Sequence, residues 1–225
     1  MNAPAPLPDA VLWDMDGTLV DTEPYWIASE FEVVEKYGGS WSNELALQVV
    51  GFDLLDAGRF IHQHSGIDVE PSVIVEELLD RVVRRVEEEV PFRPGAVELL
   101  ADLNASGVRC GLVTMSYRRF VQPVLAGLPD ASFEVIVTGD AVTQGKPHPE
   151  PYLKAAAILG VDPARTLAIE DSNTGTRSAE AAGCTVVVVP NHVPVLEGER
   201  RVFVDSLTEL SARSLPSLVG AVPGS

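Results

Sequence analysis

Positive charge is scarce in this chain: Lys and Arg total 16 against 33 Asp and Glu, a formal net charge of -17. That balance argues against nucleic-acid binding, which needs a basic face, and disfavours anionic membrane surfaces as well. The excess acid reads as a solvated surface, which leaves room for a few cations gathered around an anionic substrate. Cysteine is rarer still. Cys110 and Cys184 fall at or near the start of apolar segments and read as small buried hydrophobes, with nothing to support a disulfide or a redox role. No apolar run approaches membrane-spanning length. Residues 1–9 lack the basic start and apolar stretch of a signal peptide and read as a loose tail, so a cytoplasmic location is the expectation. No internal repeat is visible.

What is present is enough to fold. At 225 residues and 46% hydrophobic content, the chain can hold one large domain or a core with a smaller insert. Residues 10–13 form a short apolar strand that runs into Asp14-Met15-Asp16-Gly17-Thr18. With a side-chain period of two, both acids project from the strand end to the same side. Acids that close repel unless a proton, a cation or a substrate compensates. A calcium-binding loop needs glycine at its sixth position and glutamate at its twelfth, but here Gly17 stands fourth and Tyr25 twelfth. That reading fails.

Residues 22–92 are expected to be all-helical. Ile27, Phe31 and Val34 recur at helical spacing, and Pro24 is tolerated in a first turn. Gly38-Gly39 ends that helix, Ser42 can cap the next, and Gly51 and Gly66 punctuate shorter ones. Val75, Leu79, Val82 and Val86 mark a longer helix that could pack on the first. His62 and His64 read as solvated, and Arg81, Arg84 and Arg85 as surface ion-pair partners of Glu77, Glu87 and Glu88. After Pro94-Gly95, helices alternate with apolar strands at 108–113, 133–137, 166–170, 185–189 and 201–204. That alternation implies an α/β fold, a doubly wound parallel sheet with an inserted helical block. The expected division is a core of 8–21 and 93–225 with a helical cap of 22–92. Ligands bind at the carboxyl ends of strands in such sheets, and Asp14, Asp16, Thr114 and Asp171 all stand there.

The order along the chain is strand and acids, strand and hydroxyl (Thr114), loop and lysine (Lys146), strand and acidic pair (Glu170-Asp171). Taken together these four segments resemble the haloacid dehalogenase-like hydrolase superfamily, over roughly residues 8–210 and all in the family order. The resemblance implies a magnesium-dependent enzyme acting on a small phosphorylated metabolite, with neither nucleic acid nor membrane as partner, as a monomer or weak dimer. It gives Asp14 the role of nucleophile, forming an aspartyl-phosphate, and Asp16 that of general acid and base. Magnesium would take Asp14, Asp171 and the backbone carbonyl of Asp16, with Glu170 assisting directly or through water. Lys146, the Thr114 hydroxyl and the Met115 amide would hold phosphoryl oxygens. His148, between two prolines, is given a structural role.

Dehalogenases and phosphonatases of this superfamily lack the second aspartate, so Asp16 argues against both. β-Phosphoglucomutase is the runner-up, but its cap carries a histidine where Trp26 aligns and an arginine where Gln48 precedes Gly51. A binding protein that has lost catalysis is disfavoured because every chemical residue is present. The expectation is a phosphatase of small phosphomonoesters, of the sugar phosphate or phosphoglycolate type. Tyr25 and Trp26, straight after the catalytic turn, are the candidates for choosing the leaving group.

Overall fold

Every residue of Ala10–Trp13 (β1) is buried, as a strand covered on both faces must be. β1 lies inside a parallel sheet with Arg109–Val113 (β2), Val135–Val137 (β3), Thr166–Glu170 (β4), Thr185–Val188 (β5) and Arg201–Phe203 (β6). The strand order is β3-β2-β1-β4-β5-β6. In this computed structural model the described residues are 7–50 and 52–219; the expectations for the amino-terminal tail and Gly51 therefore lie outside them, apart from residues 7–9.

Register explains how two layers of helix cover the sheet. Val11 and Trp13 point to one face, where they join Leu99, Leu100 and Leu103 of Ala96–Ala105 (α5) and Phe120, Val121 and Val124 of Arg118–Ala126 (α6). Ala10 and Leu12 point to the other, against Tyr152, Ala155 and Leu159 of Glu150–Leu159 (α7) and Ala179 and Ala182 of Asn173–Ala182 (α8). Gly160 and Gly183, both left-handed, stop α7 and α8 as C-terminal glycines do. Both cysteines are free and buried. Among the described residues no helix is long and apolar enough to cross a membrane.

Between β1 and α5 stand four helices, Glu23–Lys36 (α1), Asn43–Val49 (α2), Leu54–His64 (α3) and Pro71–Glu88 (α4). The α4 stripe is wider than its spacing suggested. Val75, Leu79, Val82 and Val86 belong to the large cluster that includes Phe120 of the sheet layer, while Ile74 and Leu78 meet Val33, Val34 and Ile61 of α1 and α3. One helix thus serves both layers. The buried face of α1 also differs from the expected one. Ser29, Glu30, Val33 and Val34 are buried, and Ile27 and Phe31 only partly so. The polar members of that face are satisfied locally: Ser29 Oγ donates to Tyr25 O at 2.7 Å, and Glu30 accepts from Trp41 Nε1 at 3.0 Å. Arg81 pairs with Glu77 and Glu32, and Arg85 with Glu32, in place of the expected Glu87 and Glu88. The α4 ion pairs therefore reach across to α1 as well as along α4 itself; exposed pairs of this kind contribute about 0.2–1 kcal/mol.

The chain leaves and re-enters the sheet side by side. Val20 bridges Phe92 in antiparallel fashion, Asp21 N donates to Pro91 O at 2.8 Å and Arg93 N to Leu19 O at 3.0 Å. The Arg93 guanidinium then donates to Gly17 O at 2.6 Å and Val189 O at 3.1 Å, tying this double passage to the turn after β1.

Candidate active site

The carboxyl ends of β1, β2 and β4 meet at one rim, and the β3–α7 loop folds over it. Asp14 follows β1, held by its N–H to Ile169 O at 3.0 Å. Lys146, in the loop, donates from Nζ to Asp14 Oδ1 at 2.5 Å and to Glu170 Oε1 at 2.7 Å. Glu170 is 0% exposed and also accepts from Tyr152 Oη at 2.5 Å. Tyr152 on α7 thus fixes Glu170, and Glu170 fixes Lys146 against Asp14.

Asp16 accepts from Thr22 Oγ1 at 2.8 Å on one oxygen and from Ser116 Oγ at 2.6 Å on the other. Thr114 Oγ1 lies 3.4 Å from the second oxygen and accepts from Ser116 N at 3.0 Å. Sequence reasoning missed Ser116 and Thr22. A signal for Ser116 was available: Thr114 and Ser116 repeat just past the end of β2 the two-residue step that Asp14 and Asp16 make just past the end of β1. Met115 places its sulfur 3.2 Å from Lys146 N, so it packs beneath the lysine loop. Its own N–H has no hydrogen bond among the described residues.

Asp14, Glu170 and Asp171 each offer a carboxylate oxygen within 4.8 Å of the others. Close approach depends on Gly17, whose φ is +83° and whose missing Cβ would stand 2.0 Å from Asp171 Oδ2; no side chain fits there. Burial raises the Asp14 pKa well above the usual carboxylate range, Glu170 adds to this, and Lys146 opposes it. Burial, then Glu170, pushes Asp171 up to about 7. Asp16 is raised by burial against the bonds from Ser116 and Thr22. Burial works against the charge on Lys146, yet Asp14 and Glu170 hold its pKa above the ordinary value. Four carboxylates thus face one ammonium. A hard oxygen donor set this short of positive charge fits a divalent cation. Glu170 Oε1 is taken twice and its Oε2 accepts from Ser172 Oγ at 3.3 Å. Among the described residues the uncommitted oxygens are therefore Asp14 Oδ2 and Asp171 Oδ2, their Oδ1 atoms facing Lys146 and Thr18.

A cavity of about 290 Å³ opens above these groups, between the strand ends and the helical block. Trp26 lines it and also stacks edge-on against Phe120, ring centres 5.6 Å apart. Tyr25 does not line it: one helix position earlier, the ring has turned away, and Tyr25 Oη donates to Glu89 O at 3.3 Å. Glu23 and Glu30 do line it. Burial pushes Glu30 up to about 8 and Glu23 up to about 7, the latter against the pull of His192. Trp26→Ala is expected to change the ranking of substrates by about 1–3 kcal/mol in transition-state free energy, the size of one pocket contact. Relative kcat/KM across a panel of esters measures it; a uniform loss with a lowered Tm would mean that the ring only packs.

Residues 11–189 match the haloacid dehalogenase-like hydrolases. The chain belongs to that family. It is an enzyme, a phosphoric monoester hydrolase. Hexitol phosphatase B of Escherichia coli K12 is 33% identical over 216 residues, covering 92% of this chain and 96% of its own. A phosphoglycolate phosphatase of Salmonella choleraesuis is 33% identical over 207 residues, 79% of each chain. Among solved structures, CbbY from Rhodobacter sphaeroides in complex with phosphate superimposes with a TM-score of 0.80 at 28% identity, over 90% of this chain and 96% of that one. The family's sheet with a helical block after its first strand is the fold described above.

Proposed function

We propose that this family member is a magnesium-dependent phosphatase of small phosphomonoesters, of the sugar phosphate or phosphoglycolate type, working through an aspartyl-phosphate on Asp14. We assign 8–21 and 93–225 to the catalytic core and 22–92 to the cap, and place the enzyme in the cytoplasm as a monomer or weak dimer. The observation that carries the reading is the buried set Asp14, Glu170 and Asp171 with Lys146 bridging its first two members.

The chemistry follows from what each group can reach. An Asp14 oxygen attacks phosphorus, and the bond from phosphorus to the leaving oxygen breaks as Asp16 hands that oxygen a proton. Water then attacks phosphorus, Asp16 takes its proton, and the bond to Asp14 breaks to release inorganic phosphate. Thr22 and Ser116 each hold one Asp16 oxygen, fixing the carboxyl group on the cavity lining. Lys146 neutralises phosphoryl oxygens, assisted by the Thr114 hydroxyl and the free Met115 amide. Asp14, Asp171 and the Asp16 carbonyl would hold magnesium, with Glu170 assisting directly or through water while it orients Lys146. The ion would supply charge neutralisation for an attack of anion upon anion.

Phosphate release from p-nitrophenyl phosphate with and without magnesium tests the reading, and release is expected only with the metal. β-Glucose 1-phosphate separates hydrolysis from mutase action: free phosphate is expected, and accumulation of glucose 6-phosphate without it would favour the mutase.

A further inference from the structure

The roof of the cavity differs in charge from its floor. Glu23, Trp26 and Glu30 line it from α1, spaced by three and four residues so that they share one face of that helix. Glu30 is 3% exposed and accepts one hydrogen bond among the described residues, from Trp41 to Oε2. Its Oε1 has no donor among them, and Glu30 belongs to the cavity lining. Asp53, also on the lining, caps α3 through Oδ1, which accepts from Leu55 N and Asp56 N. Apolar surface comes from Trp26, Leu54 and Leu78.

Among the described residues no lysine or arginine lines the helical side. Lys146, on the floor, is committed to Asp14 and Glu170, and His192 bonds Asp21 at 2.7 Å. A second anionic group on a bound ester would therefore meet carboxyl groups and no free cation, which like charges in a partly dry site oppose. Hydroxyls are a better match. A carboxyl group accepts hydroxyl hydrogen bonds when ionised and can also donate one when protonated, while the indole and leucine surfaces take the C–H face of a carbon chain. A volume of about 290 Å³ suits a leaving group of a few carbons rather than a nucleotide.

We infer that this site selects an uncharged polyol or sugar leaving group whose hydroxyls bond Glu23 and Glu30, and rejects esters carrying a carboxylate or a second phosphate. The inference rests on the phosphatase reading and narrows it, setting aside phosphoglycolate. It also gives Glu30, a residue that sequence reasoning did not single out, a part in specificity.

The test compares kcat/KM of the full-length enzyme with magnesium for sorbitol 6-phosphate, glucose 6-phosphate, 2-phosphoglycolate and glucose 1,6-bisphosphate, with p-nitrophenyl phosphate as control. The better of the two esters with uncharged leaving groups is expected to exceed both of those that carry a second anionic group by on the order of tenfold or more. Glu30→Gln is expected to raise KM for that ester and narrow its lead over 2-phosphoglycolate. An equal or higher kcat/KM for 2-phosphoglycolate or the bisphosphate, with p-nitrophenyl phosphate hydrolysed, overturns this inference and leaves the phosphatase reading standing. Failure to hydrolyse any ester, the control included, overturns the phosphatase reading itself.

Discussion

Asp14→Asn is expected to lower turnover at least about a thousandfold, because the amide keeps the shape of the side chain but cannot attack phosphorus. The same change removes one of the uncommitted oxygens from the acidic set. Stability should move the other way or stay put. Asp14 is a buried acid whose charge is opposed by burial and by Glu170 and Asp171, so neutralising it relieves repulsion, and Lys146 retains Glu170. A Tm no lower than wild type beside a collapsed kcat is the combined signature of a nucleophile. Near-normal turnover by Asp14→Asn would refute the covalent mechanism, and beryllium fluoride trapping should mark Asp14 alone.

Removal of divalent metal is the second large effect. With four carboxylates facing one ammonium, the site has no other means of admitting a dianionic ester, and excess chelator should abolish activity until magnesium is restored. Calcium should inhibit, since its oxygen distances of about 2.3–2.6 Å against about 2.0–2.1 Å for magnesium displace the reacting atoms. A readout independent of catalysis is available. Magnesium at about a hundred times its Kd should stabilise the folded chain by about 2.7 kcal/mol, seen as a rise in Tm that Asp171→Ala abolishes. Full activity in excess chelator would sink the metal assignment.

Local periodicity explains why much of the sheet could be read from the chain. Asp14 and Asp16 sit two apart after a strand buried on both faces, and Gly160 and Gly183 stop helices at places that composition marks. Relations between distant residues left no such trace. Tyr152 bonds Glu170 across 18 residues, and nothing in either neighbourhood announces the pairing. Glu30 went unremarked because its partner, Trp41, lies beyond the end of α1. Tyr25 and Trp26 look equivalent as neighbours, yet one helical step rotates a side chain by about 100°, enough to send Tyr25 to Glu89 and Trp26 into the cavity. The α4 stripe was read as one face because its second row, Ile74 and Leu78, is visible only when two layers press on the same helix.

The placement of β1 within the sheet sets an order of events during synthesis. Its hydrogen-bonding neighbours are β2, in register at Trp13 with Leu112, and β4, in register at Trp13 with Ile169. Asp14 is therefore made before either flanking strand, and the second of them arrives more than 150 positions later. A nascent chain stopped before β4 lacks Glu170 and Asp171 and leaves one edge of a fully apolar strand unpaired, the exposure that invites misassociation. The helices of 22–92 are complete long before that and need no late strand to meet one another. On the ribosome this enzyme would thus form the roof of its pocket first and its chemistry last, so that truncated products carry Asp14 without the ability to use it.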